Sequence, residues 1–199
     1  MNKYIPLQHE IEALKIYFNT APGLSDVFFN DMLPRWDAIK TKRKQLLSNE
    51  GDIEHYLYVV IEGVQRCFYT HNNREATIIF SYPTSFTGVV DSFLTQKPAN
   101  SNFETLTESR LLRLHYKDFD YLCNQYPEFE RWLRLILSHT LQGVLERQKE
   151  LSMYSAAEKL ETLFKRSPHL FNLIPDKYIA SYIGVDPATL SKMLNKIIL

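Results

Sequence analysis

The hydrophobic pattern of this 199-residue chain changes near Tyr116. Between Ala38 and Tyr116, short runs rich in β-branched and aromatic residues alternate with polar turns, at residues 57–62, 64–70, 76–81 and 111–114. Many short strands at this spacing favour an antiparallel β-roll or barrel over a βαβ sheet. After Tyr116 the apolar residues recur at helical spacings to the end of the chain. The pattern therefore predicts an α+β protein, in which a β-roll is followed by helices.

Two short helices are predicted before the β-roll. Apolar residues lie among charged ones over residues 8–18, as in an amphipathic helix. Ser25 is a suitable N-cap for a second helix. Pro34 should end or kink that helix, because proline lacks the amide hydrogen that a helix interior needs.

A long helix is predicted from Pro127 to about Leu151, with no internal proline. At 1.5 Å per residue its roughly 25 residues would span about 37 Å. One side of its apolar stripe can cover the β-roll, and we expect the other side to pack against the same helix of a second subunit. The predicted homodimer interface consists of Trp132, Ile136, Leu137, Leu141 and Val144. A single subunit that covers the whole stripe remains the alternative.

The C-terminal residues predict a helix-turn-helix. A short helix over residues 177–183 is followed by Gly184, which tolerates a positive φ. Asp186 and Pro187 then suit the cap and the first turn of another helix. The apolar residues of that second helix recur on one face, at Leu190, Met193, Leu194 and Ile197. The opposite face carries small and hydrogen-bonding side chains, at Ala188, Ser191, Lys192 and Asn195.

The predicted DNA-reading surface lies on this second helix, at Ala188, Thr189, Ser191, Lys192, Asn195 and Lys196. Lysine and asparagine can meet guanine and adenine edges in a major groove, while hydroxyl groups can also contact phosphates. The chain has 23 basic and 23 acidic residues, and residues 155–199 carry only six basic and four acidic side chains. Binding should therefore be modest and strongly salt-dependent. A two-helix unit that only packs remains the alternative.

Several stretches resemble one family of regulators. They are A-A-E-K-L-E-T-L at 156–163, Pro168, I-P-D-K-Y-I-A-S-Y-I-G-V at 174–185, A-T-L-S-K at 188–192, and the turns at 51–52, 58, 63, 86–88 and 91–93. The pattern is similar to the Crp/Fnr regulators, particularly their Bacteroidetes branch. The resemblance implies a cyclic-nucleotide-binding-like sensor domain over residues 1–126, a dimerisation helix over 127–152 and a helix-turn-helix DNA-binding domain over 153–199. It also implies a homodimer on a two-fold DNA site.

The second helix departs from the family at its start. Pro187 and Ala188 stand where many members have Arg and Glu, and Lys192 replaces the usual arginine. Lysine lacks the planar fork with which arginine reads bases, so base-reading power is reduced. Because the chain ends at Leu199, we expect no β-hairpin wing after the helix-turn-helix.

The nucleotide pocket is also altered. In the family, a Gly-Glu pair and an arginine hold the ribose and the cyclic phosphate. Here Val89 follows Gly88, the arginine position falls near Ala99–Asn100, and Lys97 is the nearest cation. A phosphate buried without a cation would lose its hydration uncompensated. We therefore predict that cyclic AMP and cyclic GMP bind poorly or not at all. Gly88, Val89, Asn100 and Ser101 are the candidate pocket for an unidentified small-molecule effector, and a simple polar loop is the alternative.

No catalytic or metal chemistry is expected. Six histidines are scattered, and the nearest set, His55 with Glu50 or Glu54, is interpreted as solvated turn residues. Two cysteines are too few for a four-cysteine iron–sulfur cluster, and no catalytic or cofactor motif occurs. The sequence shows no secretory signal and no apolar run that would cross a membrane. These observations predict a cytoplasmic protein without a cofactor.

The sequence thus predicts a DNA-binding transcription regulator of the Crp/Fnr type with a degenerate nucleotide pocket, and not an enzyme. The alternative is a non-catalytic ligand-binding or protein-interaction module whose helix-turn-helix is non-functional. Both interpretations share one fold, and they differ in whether the protein binds DNA.

Overall fold

The computed structural model describes residues 2–197, and the side chains of residues 3–195. Its strands are β1 (Asn2–Tyr4), β2 (Trp36–Thr41), β3 (Leu46–Ser48), β4 (Tyr56–Glu62), β5 (Gln65–His71), β6 (Arg74–Ser81), β7 (Phe86–Thr87), β8 (Asn102–Thr105) and β9 (Ser109–His115). Its helices are α1 (Gln8–Phe18), α2 (Asp26–Met32), α3 (Val90–Thr95), α4 (Tyr116–Gln125), α5 (Pro127–Met153), α6 (Ala156–Arg166), α7 (Leu170–Leu173), α8 (Asp176–Ile183) and α9 (Pro187–Ile197).

The strands form two antiparallel sheets that together make the β-roll. One sheet has the order β1-β2-β9-β4-β7, and the other has the order β3-β8-β5-β6. Strand β6 is therefore an edge strand of the second sheet, and only β5 pairs with it. The predicted α+β class, an antiparallel roll followed by a long helix, is confirmed.

The predicted elements agree with the observed ones within a few residues. Helix α1 spans the predicted range, and Ser25 caps α2 by accepting a hydrogen bond from the amide of Phe28 at 3.2 Å. Pro34 lies in the 3-10 turn Leu33–Arg35 that ends this helix. A polar turn, Asn72 and Asn73, joins β5 to β6, and these residues have φ angles of 49° and 59°. Two left-handed residues are what a two-residue hairpin turn requires.

An aromatic core lies between the five-stranded sheet and the flanking helices. The ring of Trp132 stacks on that of Phe18 at 4.6 Å between centroids, and its Nε1 donates a hydrogen bond to the carbonyl oxygen of Phe18 at 2.8 Å. Phe129 stacks on Phe28 at 5.0 Å. The first turns of α5 are thus anchored in this aromatic core by two large buried rings, each of which removes extensive apolar surface from water.

The rest of α5 leaves this core. The helix has 27 residues and spans about 40 Å. Trp132 is only 2% exposed, so its assignment to a dimer interface is corrected: its ring is buried against its own subunit. Of the other predicted interface residues, Ile136 is half-buried, whereas Leu137, Leu141 and Val144 are exposed.

Candidate functional site

The predicted helix-turn-helix corresponds to α8 and α9, which are joined at Gly184. This glycine has a φ of +81°, and its amide donates to the carbonyl oxygen of Ala180 at 2.9 Å. Such a left-handed residue ends α8 at no steric cost. The sharp turn lets α9 begin two residues after Val185 and cross α8 within one compact unit.

Asp186 caps α9. Its Oδ1 accepts a hydrogen bond from the amide of Thr189 at 2.8 Å, and its Oδ2 accepts one from the Thr189 hydroxyl at 2.6 Å. These contacts hold the pKa of the Asp186 carboxyl below its usual value. Thr189 was predicted to contact phosphate, but its hydroxyl hydrogen is already donated to the cap in this structure.

The remaining predicted DNA-reading residues lie together on the outer face of α9. Ala188, Ser191, Lys192 and Asn195 are all exposed. The opposite face is inserted in the domain core, where Leu190 is completely buried and Met193 and Leu194 are half-buried. The side chain of Lys196 lies outside the described residues. Helix α9 is therefore amphipathic in the way a groove-binding helix requires, with its polar face free of its own chain.

The predicted pocket residues surround α3 at the end of the β-roll. Gly88 is buried with a φ of +119°, and a Cβ there would lie 3.2 Å from Cδ2 of Tyr58. Val89 is 2% exposed and Ser101 is 7% exposed, whereas Asn100 is exposed to solvent. The structure therefore places three of the four predicted residues inside the roll and Asn100 outside it.

The interior of the roll is filled mostly by apolar side chains. Tyr58 contacts Phe103 at 5.4 Å between ring centroids, and both are almost fully buried. Cys67 donates a weak hydrogen bond from its Sγ to the carbonyl oxygen of Gly88 at 3.4 Å. Burial raises the pKa of this thiol to about 12, so it stays protonated at neutral pH.

Glu54 is a buried carboxyl group that the sequence interpretation missed. It was taken as a solvated turn residue, but it is only 3% exposed. Its Oε1 accepts a hydrogen bond from the amide of Tyr56 at 2.9 Å, while its Oε2 has no hydrogen-bond partner. Burial raises the pKa of Glu54 to about 7, against the opposing effect of amides that include those of Tyr56 and Val89. The acidic group therefore lies beside the residue that replaces the family's glutamate.

A contact between α8 and the β-roll was also missed. The side chain of Ser181 on α8 exchanges hydrogen bonds with the backbone of β6, at Thr77 and Glu75. The nearly buried guanidinium of Arg66 lies 4.4 Å from the ring centroid of Tyr178. The sequence did carry a signal for this contact, since Tyr178, Ser181 and Tyr182 lie on one face of α8. The packing of α8 against α9 does not require their polar groups, which indicates another partner for that face.

The structure offers no support for metal or membrane chemistry in the part that it describes. Among residues 2–197, no three histidine, cysteine, aspartate or glutamate side chains are grouped so that they would hold a metal ion. None of the described helices combines the length and the apolarity needed to cross a lipid bilayer.

The comparisons with known proteins agree with this architecture. Residues 38–126, which include most of the β-roll, match the family model of the cyclic nucleotide-binding domain. No match was found among curated proteins. Several solved structures of regulators share this fold over most of the chain.

Three of these solved structures show the likeness. FixK2 from Bradyrhizobium japonicum has a TM-score of 0.71 at 14% identity, over 80% of this chain and 83% of that one. The c-di-GMP responsive global regulator CLP from Xanthomonas campestris has a TM-score of 0.66 at 16% identity, over 87% and 91%. The Catabolite Activator Protein from Thermus thermophilus has a TM-score of 0.56 at 22% identity, over 88% and 84%. At these identities the likeness shows the fold.

Proposed function

We propose that this chain is a homodimeric transcription regulator that binds DNA through α9, and that its cyclic nucleotide-binding domain does not take cyclic AMP or cyclic GMP. The observation that carries the proposal is the exposed polar face of α9 on a helix whose opposite face is buried. Residues 1–126 would form the sensor, 127–152 the dimerisation helix and 153–199 the DNA-binding domain. The protein would act in the cytoplasm and needs no cofactor.

The polar face of α9 has the chemistry for groove recognition. Lys192 can donate to the acceptors of guanine, and Asn195 can form a bidentate pair with adenine. Ser191 can donate to either a base edge or a phosphate, and the small Ala188 leaves space for close approach of the duplex. The departures from the family pattern at Pro187 and Lys192 reduce the affinity for DNA, but the polar face of α9 stays exposed and the helix stays capped.

The second half of α5 supports the dimer. Leu137, Leu141, Val144 and Leu145 are between 37% and 60% exposed and share one face of a single helix. A continuous apolar face on a helix is stabilised when the same helix of a second subunit packs against it. An isologous pair of this kind has two-fold symmetry and would present two copies of α9 to one duplex.

The pocket region supports the absence of a cyclic nucleotide. Val89 offers no acceptor for a ribose hydroxyl, and Asn100 points to solvent rather than into the roll. Glu54 places an ionisable carboxyl beside Val89, and its negative form would repel a phosphate. The effector, if the protein has one, would therefore be a different small molecule.

The test is a selection of DNA duplexes from a random pool by the purified full-length protein, followed by titration of a selected duplex at several salt concentrations. The combined change Lys192→Ala and Asn195→Ala should weaken binding at least about 30-fold, because each of the two base contacts contributes about 1–3 kcal/mol. The matched control is Lys165→Ala, which removes one exposed cation of the same domain outside α9. The control should weaken binding less than about threefold, as a contribution to the general phosphate field only.

Wild-type protein that selects no duplex even at low salt would overturn the proposal in favour of a ligand-binding or interaction module. Equal losses for the α9 double variant and the Lys165 control would also overturn the assignment of α9 as the reading helix. Wild-type affinity should fall steeply as salt rises, because phosphate contacts release bound counterions.

A further inference from the structure

One side of α8 is attached to the edge of the β-roll. The amide of Thr77 donates a hydrogen bond to Oγ of Ser181 at 2.9 Å, and this hydroxyl donates to the carbonyl oxygen of Glu75 at 2.9 Å. Edge strands present unpaired backbone groups. The single hydroxyl group of Ser181 therefore satisfies one backbone amide and one backbone carbonyl group of β6.

A buried cation supports the same contact from β5. Arg66 is 2% exposed, and its Nε donates to Oε1 of Glu104 at 2.6 Å, while its Nη2 is paired with Glu75. The guanidinium carbon lies 3.9 Å from the ring centroid of Phe68 and 4.4 Å from that of Tyr178. Because the charge is already compensated within the sheet, Arg66 can pack on the Tyr178 ring and add a cation–π contact between the two domains.

The long helix holds the other end of α8. Arg147 lies 3.8 Å above the ring centroid of Tyr182 and donates to its carbonyl oxygen. Arg166 donates to the hydroxyl of Tyr182 at 2.9 Å. Glu150 accepts hydrogen bonds from both arginines, at 2.8 Å and 3.0 Å, and is 5% exposed. Tyr182 is thus fixed by α5 and α6 at the same time.

These contacts divide the residues of α8 between two tasks. Ile179, Ala180 and Ile183 are nearly fully buried in an apolar cluster that also contains Leu190 of α9 and, from the β-roll, Val64, Phe80 and Leu106. Tyr178, Ser181 and Tyr182, at positions i, i+3 and i+4, make the polar contacts with the sensor and the long helix. Since the turn at Gly184 and the buried Leu190 join α9 rigidly to α8, the orientation of α8 also determines where α9 lies.

We propose that Arg66, Tyr178 and Ser181 form an interdomain clamp that fixes the position of α9, and that this clamp sets the separation of the two DNA half-sites that a dimer accepts. Arg66 and Ser181 are positioning residues, because they lie outside the reading face of α9. The inference rests on the proposed function. A dimer with fixed reading helices requires half-sites at one separation, whereas helices on loose domains tolerate several.

The first measurement needs no DNA. Amide hydrogen exchange in full-length Ser181→Ala should be up to about tenfold faster at Thr77, because one hydrogen bond that contributes about 1 kcal/mol is lost. The amide of Val59, in a central strand, serves as the internal control and should not change. Unchanged exchange at Thr77 would show that the clamp does not hold in solution, whatever DNA binding shows.

The second measurement uses a duplex that the wild-type protein selects, with one, two or three base pairs inserted or deleted between its half-sites. The affinity of the wild type should fall about tenfold or more when one base pair is inserted or deleted. For Ser181→Glu the same change should lower the affinity less than about threefold, while its binding to a single half-site stays the same as that of the wild type. Ser152→Glu on α5 is the matched control for added charge and should keep the wild-type profile. If Ser181→Glu does not fold, Ser181→Ala takes its place.

Coinciding spacing profiles for the wild type and the folded Ser181 variant would overturn the clamp, while the protein would remain a DNA-binding regulator. A wild-type protein that selects no duplex would overturn the proposed function and the role of the clamp in spacing, and amide exchange at Thr77 would still decide whether the interdomain contact exists. The two failures are thus distinguishable.

Discussion

Asp186 and Thr189 bind each other through two hydrogen bonds, from the amide and the hydroxyl of Thr189 to the two carboxylate oxygens of Asp186. This pair begins α9, the helix that we propose reads DNA. The cap satisfies an amide of the first turn that has no partner within the helix. The start of the helix, and with it the direction of its polar face, therefore depends on one exposed acidic residue.

We expect Asp186→Ala to lower the thermal midpoint of the protein and to weaken DNA binding, because the first turn of α9 would fray. Asp186→Asn should retain most of both, since asparagine is an equally good N-cap. The lowered pKa of Asp186 implies that the cap contributes stability above the carboxyl's unfolded pKa and loses it as the pH falls through the lower folded value. Thermal unfolding of the wild type and the two variants at pH 7 and at pH 3 tests the stability that the cap contributes and its dependence on pH. If acid lowered the thermal midpoint of the alanine variant as much as that of the wild type, this role of the cap would be contradicted.

We expect Leu141→Glu to convert the proposed dimer to a monomer or to weaken the dimer at least about 30-fold. A carboxylate placed at the centre of an apolar helix pair loses its hydration without a partner, at a cost of about 2 kcal/mol or more. The control is Gln142→Glu, which adds the same charge at the next exposed residue outside the apolar stripe. Sedimentation at several protein concentrations measures the effect, and an unchanged mass for the Leu141 variant would locate the dimer interface elsewhere.

The stability of the protein should depend on pH through Glu54. Its folded pKa of about 7 lies above the ordinary value of 4.5, so the folded state holds this proton when the unfolded state has already lost it. The contribution of Glu54 to the free energy of unfolding should therefore be greatest below about pH 4.5, and it should fall by about 3 kcal/mol as the pH rises to about 7. Glu54→Gln should remove this dependence, which urea unfolding of both proteins at pH 5 and pH 8 would measure. A wild-type slope equal to that of the variant would contradict the burial of an ionisable Glu54.

Calorimetric titration of the full-length protein with cyclic AMP and with cyclic GMP should show no binding in the micromolar range. The physical reason is that neither Val89 nor Asn100 carries a charge and that Lys97, the cation nearest to them in sequence, is exposed. The titration should be repeated with Glu54→Gln, which removes the repelling carboxylate. Micromolar binding by the wild type would refute the degenerate pocket.

Local sequence patterns predicted the elements well, because caps, turns and periodicity act over a few residues. Gly184, Asp186 and Leu190 are examples, since each has the role in the helix-turn-helix that its residue type predicts. The same patterns did not show which apolar residues of α5 pack on the chain's own core and which stay exposed. Trp132 and Leu141 lie in one apolar stripe, but the first packs on Phe18, far away in sequence, and the second is exposed.

The missed groups were missed for a related reason. The burial of Glu54 depends on residues of other segments, such as Ser92, whose hydroxyl accepts a hydrogen bond from the Glu54 amide. The contact between Glu75 and Ser181 joins residues 106 positions apart. Neither relationship leaves a short-range pattern, and a charged residue in a turn is ordinarily solvated. Long-range packing therefore determined what the sequence alone could not.

Strand β5 has one structural consequence for how a signal would reach DNA. Arg66 faces the helix-turn-helix, while the next residue, Cys67, faces the interior of the roll and contacts Gly88. A single peptide unit joins the two. An occupant of the roll interior that displaces the thiol would rotate this unit and shift the guanidinium that packs on Tyr178, so the path from the roll to DNA would run within each subunit of the proposed dimer, without passing through its two-fold axis.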